Sequence, residues 1–208
     1  MSDGPAGPGG RRRLLLATGN AHKVDEVQSI LGDPWLVVAL DPGVDETGST
    51  FEENALLKAR AVAASAGELA IADDSGIEVD MLGGAPGVRS ARWAHEGDWI
   101  PRVLRELAGA PEAARGCRYV CAAAAAWPGP SGRGSGWHVP HAREFVVRGV
   151  VEGRVAEAPR GTGGFGYDPI MVPMEGDGRT FAEMSDAEKH ALSHRGRAFR
   201  RLAPHLVE

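Results

Sequence analysis

Two adjacent carboxylates, Asp73 and Asp74, follow the apolar run from Leu69 to Ala72 and precede Ser75 and Gly76. Neighbouring side chains on a strand point to opposite sides, so one of the pair can face a ligand while the other supports it. A carboxylate so placed suits a hard cation such as Mg²⁺, which takes carboxylate oxygens and water. The same residues also fit an Asp-Ser-Gly turn closed by its own hydrogen bonds. Glu46, in the polar stretch Asp45-Glu46-Thr47-Gly48, can complete a cation site or stand as a solvated charge. Thr18-Gly19-Asn20-Ala21-His22-Lys23 sits where an apolar run gives way to a helical pattern. Free amides and the positive helix end make such a junction an anion site, although a plain capped helix has the same residues. Lys58 stands out in a largely apolar and alanine-rich stretch, although a solvated lysine explains it just as well.

Towards the C-terminus, Gly161-Thr162-Gly163-Gly164-Phe165-Gly166 matches GxGxxG but is followed by Tyr167-Asp168-Pro169. A dinucleotide fingerprint must open a helix after a strand, and the residue before a proline is pushed out of the helical region. A glycine loop with one aromatic ring suits a flat ligand such as a base, or a tight turn with Phe165 packed inward. Lys189, His190, His194 and Arg195 share one helical stretch, where the two histidines are four apart without the HExxH pattern of a zinc site. His194 and Arg195 can supply directional hydrogen bonds to a carbonyl edge, or simply form a basic helix face.

The elements that must position these residues follow from periodicity. Residues 13–18 and 35–40 read as strands, and residues 20–31 as a helix with Val24, Val27, Ile30 and Leu31 on one face. Phe51 to Ala66 reads as a helix turning Ala55, Leu56, Ala59, Val62 and Ala63 inward and stopped by Gly67. A short strand from Leu69 to Ala72, a turn cluster at Gly83–Gly87 and a short helix from Asp98 to Leu107 come next. Strands at 119–127 and 144–155 are separated by a Gly/Pro/Ser-rich connection, and a strand spans 167–172. Ser185-x-x-Glu188 is a capping box opening a helix to about Leu202. The order of elements predicts an α/β protein with a mixed central sheet flanked by helices.

The chain of 208 residues can bury a core as one compact unit of two lobes, residues 11–208, after a Gly/Pro/Ser-rich tail of residues 1–10 expected to be disordered. A net charge of −5 argues against a nucleic-acid backbone binder. The longest apolar run, Tyr119 to Trp127, is too short to cross a bilayer, and Leu14 to Ala17 is too short for an export signal. Cys117 and Cys121 make no disulfide framework, and a reducing compartment fits them. Of 23 basic residues, only Lys23, Lys58 and Lys189 are lysines.

Six segments occur in a telling order. They are Leu16-Ala17-Thr18-Gly19-Asn20-Ala21-His22-Lys23, Phe51-x-Glu53-Asn54-Ala55-x-x-Lys58-Ala59, Ala72-Asp73-Asp74-Ser75-Gly76, Gly83-Gly84-Ala85-Pro86-Gly87, Gly161 through Pro169, and Glu188-Lys189-x-x-x-Ser193-His194-Arg195. Together they closely resemble the inosine/xanthosine triphosphate pyrophosphatase family of house-cleaning nucleotide hydrolases, from Leu14 to Leu202. The resemblance implies two lobes with the active site in the cleft between them, and Mg²⁺-dependent cleavage of ITP, dITP and XTP to the monophosphate and pyrophosphate. It implies that Thr18, Gly19, Asn20, Ala21, His22, Lys23, Lys58 and Ser75 bind the triphosphate. Glu46 and Asp74 would hold the metal, with Asp74 also the catalytic base and Asp73 in support. Phe165, Gly166, Tyr167, Asp168, Lys189, His194 and Arg195 would hold the base and read its 6-keto group.

The physical division of labour agrees, because phosphoryl chemistry is mostly positioning and charge neutralisation. Donors aimed at a 6-keto oxygen are left unpaired by adenine, a penalty of roughly 1–3 kcal/mol per buried group. Guanine also carries that oxygen, so its exclusion must depend on the 2-position. The resemblance further implies a cytoplasmic homodimer. Residues 94–101 depart from the family pattern: an asparagine position is lost and Pro101 intrudes, so the short helix and the dimer contacts are expected to differ. Two rivals remain at this point: a nucleotide sensor with negligible turnover, and a hydrolase of modified pyrimidine triphosphates.

Overall fold

The structure, a computed structural model, describes residues 10–95, 97–129 and 143–207. The expected tail up to residue 9 and most of the connection between the two long strands lie outside the described residues. Six strands form one sheet in the order β2-β1-β3-β4-β5-β6. They are β1 (Arg12–Ala17), β2 (Trp35–Leu40), β3 (Ala70–Val79), β4 (Gly116–Ala126), β5 (Glu144–Val155) and β6 (Met171–Pro173). The helices are α1 (Ala21–Leu31), α2 (Phe51–Ala66), α3 (Trp99–Glu106), α4 (Asp186–Leu192) and α5 (His194–Leu202). The pairing of β1 with both β2 and β3 is parallel, whereas β5 and β6 run antiparallel, so the sheet is mixed as expected. By packing, the chain divides into two compact units. One comprises Met1–Asp74, Ala122–Arg148 and Ala198–Glu208; the other comprises Ser75–Cys121 and Gly149–Arg197.

In the first unit, Leu14, Leu15 and Leu16 are fully buried on β1, as a central parallel strand covered on both faces requires. The Asn20 cap and the Gly67 stop are as read from sequence, and α2 opens on a further cap. Asn20 caps α1 by accepting from His22 N at 3.0 Å. Thr50 and Glu53 close a capping box on α2, and Gly67 ends it in the left-handed conformation that glycine adopts without penalty.

The second unit packs Ile77, Val79, Val103, Leu107, Tyr119, Val151, Ile170 and Phe181 into its core. Pro101 does not prevent α3, because it falls in the first turn, where the missing N–H has no partner to lose. Arg115 is buried and spends its guanidinium on three carbonyls: Val155 at 2.8 Å, Leu107 at 3.0 Å and Ala156 at 2.9 Å. It thereby fastens the end of α3 to the end of β5. Both cysteines are buried on β4.

Three expectations about elements need correction. β3 does not stop at Ala72 but continues through Asp73-Asp74-Ser75-Gly76 to Val79, so the Asp-Ser-Gly turn does not form. Its parallel register with β1 nevertheless covers only its first residues, Ala70 and Ile71. The carboxylates therefore sit just past the carboxyl end of that parallel pairing, where open α/β sheets place ligands. The strand expected at 167–172 is a 3₁₀ turn (Asp168–Ile170) leading into the short β6, since Pro169 fixes φ and cannot donate to a ladder. The single C-terminal helix is broken at Ser193, which takes an extended conformation. Ser193 N donates to Lys189 O at 2.7 Å and its Oγ accepts from Gly196 N at 2.9 Å, so one residue ends α4 and caps α5.

Candidate active site

In the first unit the junction of β1 and α1 presents Gly19, Asn20, Ala21 and His22 to solvent. Thr18 is buried, and its Oγ1 accepts from Asn20 N at 3.0 Å, holding the turn open-ended towards the helix amides. Lys23, in the first turn of α1, pairs with Asp73 Oδ2 at 3.1 Å. Lys58 is not a solvated lysine: it is buried on α2, with its Nζ 2.5 Å from Glu46 Oε1 and 3.7 Å from Asp74 Oδ1. Three acids and two lysines drawn from a loop, two helices and one strand thus form one charged cluster.

The electrostatics of the cluster are balanced by design of position. Burial raises the pKa of Asp74 most, and the Glu46 charge adds to it, against the opposing pull of Lys58, Asn54 and Lys23. The net direction is upward from the ordinary carboxylate value. For Lys58, burial works to lower the pKa, but Asp74, Asp73 and Glu46 together override it and hold the ammonium charged.

One member of the cluster escaped the sequence reading of roles. Asn54 is fully buried, donates from Nδ2 to Asp74 Oδ2 at 3.0 Å, and accepts from Gly48 N at 2.7 Å. It orients the carboxylate and pins the loop that carries Glu46. A Cβ on Gly48 would lie 2.6 Å from Asn54 Oδ1, so only glycine permits that approach. The available signal was its position one helical turn before Lys58 on the same face of α2.

The second unit assembles the remaining residues. Asp168 is buried; its Oδ2 accepts from Lys189 Nζ at 2.7 Å and from Phe165 N at 2.7 Å. Lys189 Nζ lies 4.4 Å, and the Arg195 guanidinium 5.6 Å, from the centroid of the Phe165 ring. Phe165 itself is 39% exposed, leaving aromatic surface for a ligand. Arg195 is almost wholly buried and donates to Ser75 Oγ at 2.9 Å, while His194 packs against Tyr119. The break at Ser193 puts His194 and Arg195 in the first turn of α5, so His190 and His194 do not share a helix face. Tyr167 is buried with its hydroxyl donated to Ser90 O at 2.9 Å, which anchors the loop rather than exposing a ligand group.

A model of the Ham1 family matches residues 14–205. The chain belongs to the Ham1 family. It is 50% identical to a protein of Symbiobacterium thermophilum named dITP/XTP pyrophosphatase, across 94% of this chain and 95% of that one. A Streptomyces coelicolor protein of the same name is 48% identical, covering 94% of this chain and 98% of its own. Among solved structures, a HAM1 protein from Coxiella burnetii superposes with a TM-score of 0.76 at 36% identity, covering 94% of this chain and 98% of that one. A nucleoside-triphosphatase / dITP/XTP pyrophosphatase from Mycobacterium abscessus gives 0.68 at 39% identity, covering 92% and 99%.

The donor set of this Ham1-family chain suits Mg²⁺. Glu46 and Asp74 converge on one cation, the Lys58 ammonium, and offer hard oxygens in a crowded anionic setting. Among the described residues no group of three or more His, Cys, Asp or Glu forms a metal cage. Two carboxylates are the usual protein share for Mg²⁺, which fills its remaining positions with water and substrate phosphates. No helix among the described residues is long and apolar enough to cross a membrane.

Proposed function

We propose that this chain is a nucleoside triphosphate pyrophosphatase that hydrolyses dITP, ITP and XTP to the monophosphate and pyrophosphate. Relationship over nearly the whole length to chains named dITP/XTP pyrophosphatase supports the substrate class. The observation that carries the chemistry is the convergence of Glu46, Asp74 and Lys58 next to the Lys23–Asp73 pair. A binder without turnover can dispense with carboxylates, so the gathered Glu46, Asp73 and Asp74 beside Lys23 and Lys58 favour the enzyme over a sensor.

In this reading the amides of the Thr18–Lys23 junction, with Lys23, Lys58 and Ser75, receive the triphosphate. Glu46 and Asp74 would hold Mg²⁺, which when bound neutralises phosphate charge and stabilises the departing pyrophosphate. Asp74 accepts a proton from the attacking water, and Asn54 keeps its carboxylate in one orientation. As the water oxygen bonds to phosphorus, the bond between the α-phosphorus and the bridging oxygen breaks. Lys23 and Lys58 offset the charge that builds on the leaving group. Phe165 offers its ring face to the base, and Lys189, His194 and Arg195 supply donors for the 6-keto oxygen.

Residues 11–208 then act as one catalytic domain, a reading supported by the extent of the family match. A cytoplasmic homodimer is the assembly and compartment that the six-motif resemblance carries, and light scattering on the purified protein reads the oligomer directly.

The test is a turnover panel of ITP, dITP, XTP, GTP, ATP and dUTP, with and without Mg²⁺, scoring pyrophosphate and orthophosphate separately. Pyrophosphate from ITP, dITP and XTP, absent without the metal and weak with ATP, is the expected result. Binding without turnover would establish the sensor instead, and preference for dUTP would establish a pyrimidine enzyme.

A further inference from the structure

Tyr119 belongs to none of the six motifs, yet it touches two of the base-side groups at once. It lies buried on β4. Its hydroxyl donates to Asp168 Oδ1 at 3.1 Å, the carboxylate oxygen opposite the one that takes Lys189 and Phe165 N. Its ring lies 4.6 Å from the His194 imidazole, centroid to centroid, and 5.8 Å from Phe181, which stacks on it at 14°.

A carboxylate held on one oxygen alone can swivel about its last torsion, and the lysine it carries swings with it. With Tyr119 on Oδ1, both oxygens are held and the plane of Asp168 is set. Lys189 Nζ then points its remaining N–H bonds in set directions. A phenylalanine would fill the same space and keep the stacking, so packing alone does not call for the hydroxyl.

We propose that Tyr119 is a specificity-determining positioning residue. Its hydroxyl fixes the Asp168 carboxylate and its ring fixes His194, so that Lys189 and His194 meet the 6-keto oxygen in one geometry. The inference rests on the base-side reading above and adds a residue to it. Burial and the neighbouring Asp168 raise the Tyr119 phenol well above its ordinary pKa, so it remains a donor across the working pH range.

Tyr119→Phe removes one oxygen atom and keeps the ring. Steady-state kinetics with dITP and ATP in the presence of Mg²⁺, together with a melting curve, test the proposal. KM for dITP should rise about tenfold with kcat within about twofold, and the preference for dITP over ATP should fall about tenfold, as expected for loss of one hydrogen bond to a charged group. Tyr119→Leu, which also takes the ring from His194, should widen both losses. An unchanged KM and unchanged preference in Tyr119→Phe would overturn the proposal, whether or not the melting temperature falls. A wild-type enzyme that does not distinguish dITP from ATP would overturn the base-side reading and this proposal together. Wild-type discrimination that survives intact in the variant defeats the proposal alone.

Discussion

At the scale of single residues, the candidate chemistry depends on side chains whose charge is set by neighbours far away in sequence. Asp74 carries two opposed influences, burial with Glu46 raising its pKa and Lys58 with Asn54 lowering it. An amide at that position cannot accept a proton and cannot balance Lys58. Asp74→Asn should therefore abolish pyrophosphate release, a loss of at least about 10³-fold, while leaving the circular dichroism spectrum unchanged. Turnover within tenfold of wild type would remove Asp74 from the role of base. The three lysines illustrate the same point. Each of Lys23, Lys58 and Lys189 is paired with a carboxylate of the candidate site. Arginines in other ion pairs mostly hold exposed surface, as Arg118 does with Glu78, Asp80 and Glu152. A compact ammonium suits phosphate and metal-like positions, whereas the planar fork suits bidentate bridging.

At the scale of elements, α4 matters because it is only two turns long and still has to deliver Lys189. A helix this short is marginal on its own, so its cap carries unusual weight. Glu188 Oε2 accepts from Ser185 N and Ser185 Oγ, both at 2.8 Å, and Arg179 reaches the same carboxylate at 2.7 Å. The Arg179 hydrogen bond, followed by those from Ser185, lowers the Glu188 pKa from 4.5 to about 2. A carboxylate depressed in the folded state adds stability above its unfolded pKa, and that stability fades as pH falls through the folded value. The melting temperature should thus fall between pH 4.5 and about 2, and Glu188→Gln should start lower at neutral pH and fall less over that window. Parallel melting curves for the two proteins would exclude the cap from acid sensitivity. The division at Ser193 is the companion feature. An uninterrupted helix would have kept His190 and His194 on one face, whereas the break starts α5 at His194 and turns Arg195 to Ser75.

At the scale of the whole molecule, the carboxylate–lysine cluster lies in the first compact unit, and the Phe165–Asp168–Lys189–Arg195 set in the second. A ligand that binds only the folded chain stabilises it by mass action. A non-hydrolysable dITP analogue with Mg²⁺ at about 100 times Kd should add about 2.7 kcal/mol, or roughly 5–10 °C in melting temperature for a chain of this size. The ATP analogue at equal concentration should add markedly less; equal shifts would contradict base selection. Much of this protein is local and therefore legible in the residues themselves. Caps at Asn20 and Ser185, the stop at Gly67 and the periodicity of α1 and α2 depend on neighbours within a few positions. The order of six motifs was enough to indicate the family. What required tertiary structure is whatever depends on partners distant in the chain. Asn54 reads as an ordinary helix residue until the fold buries it beside Asp74, 20 positions away in sequence but on a different element. Asp73-Asp74-Ser75-Gly76 has the composition of a turn, and the sheet holds it extended. Tyr119 looks like one more apolar strand residue, and only the approach of Asp168, 49 positions along, gives its hydroxyl a task. Sequence sets local conformation through short-range sterics and capping, whereas burial and long-range hydrogen bonding assign the charges their work.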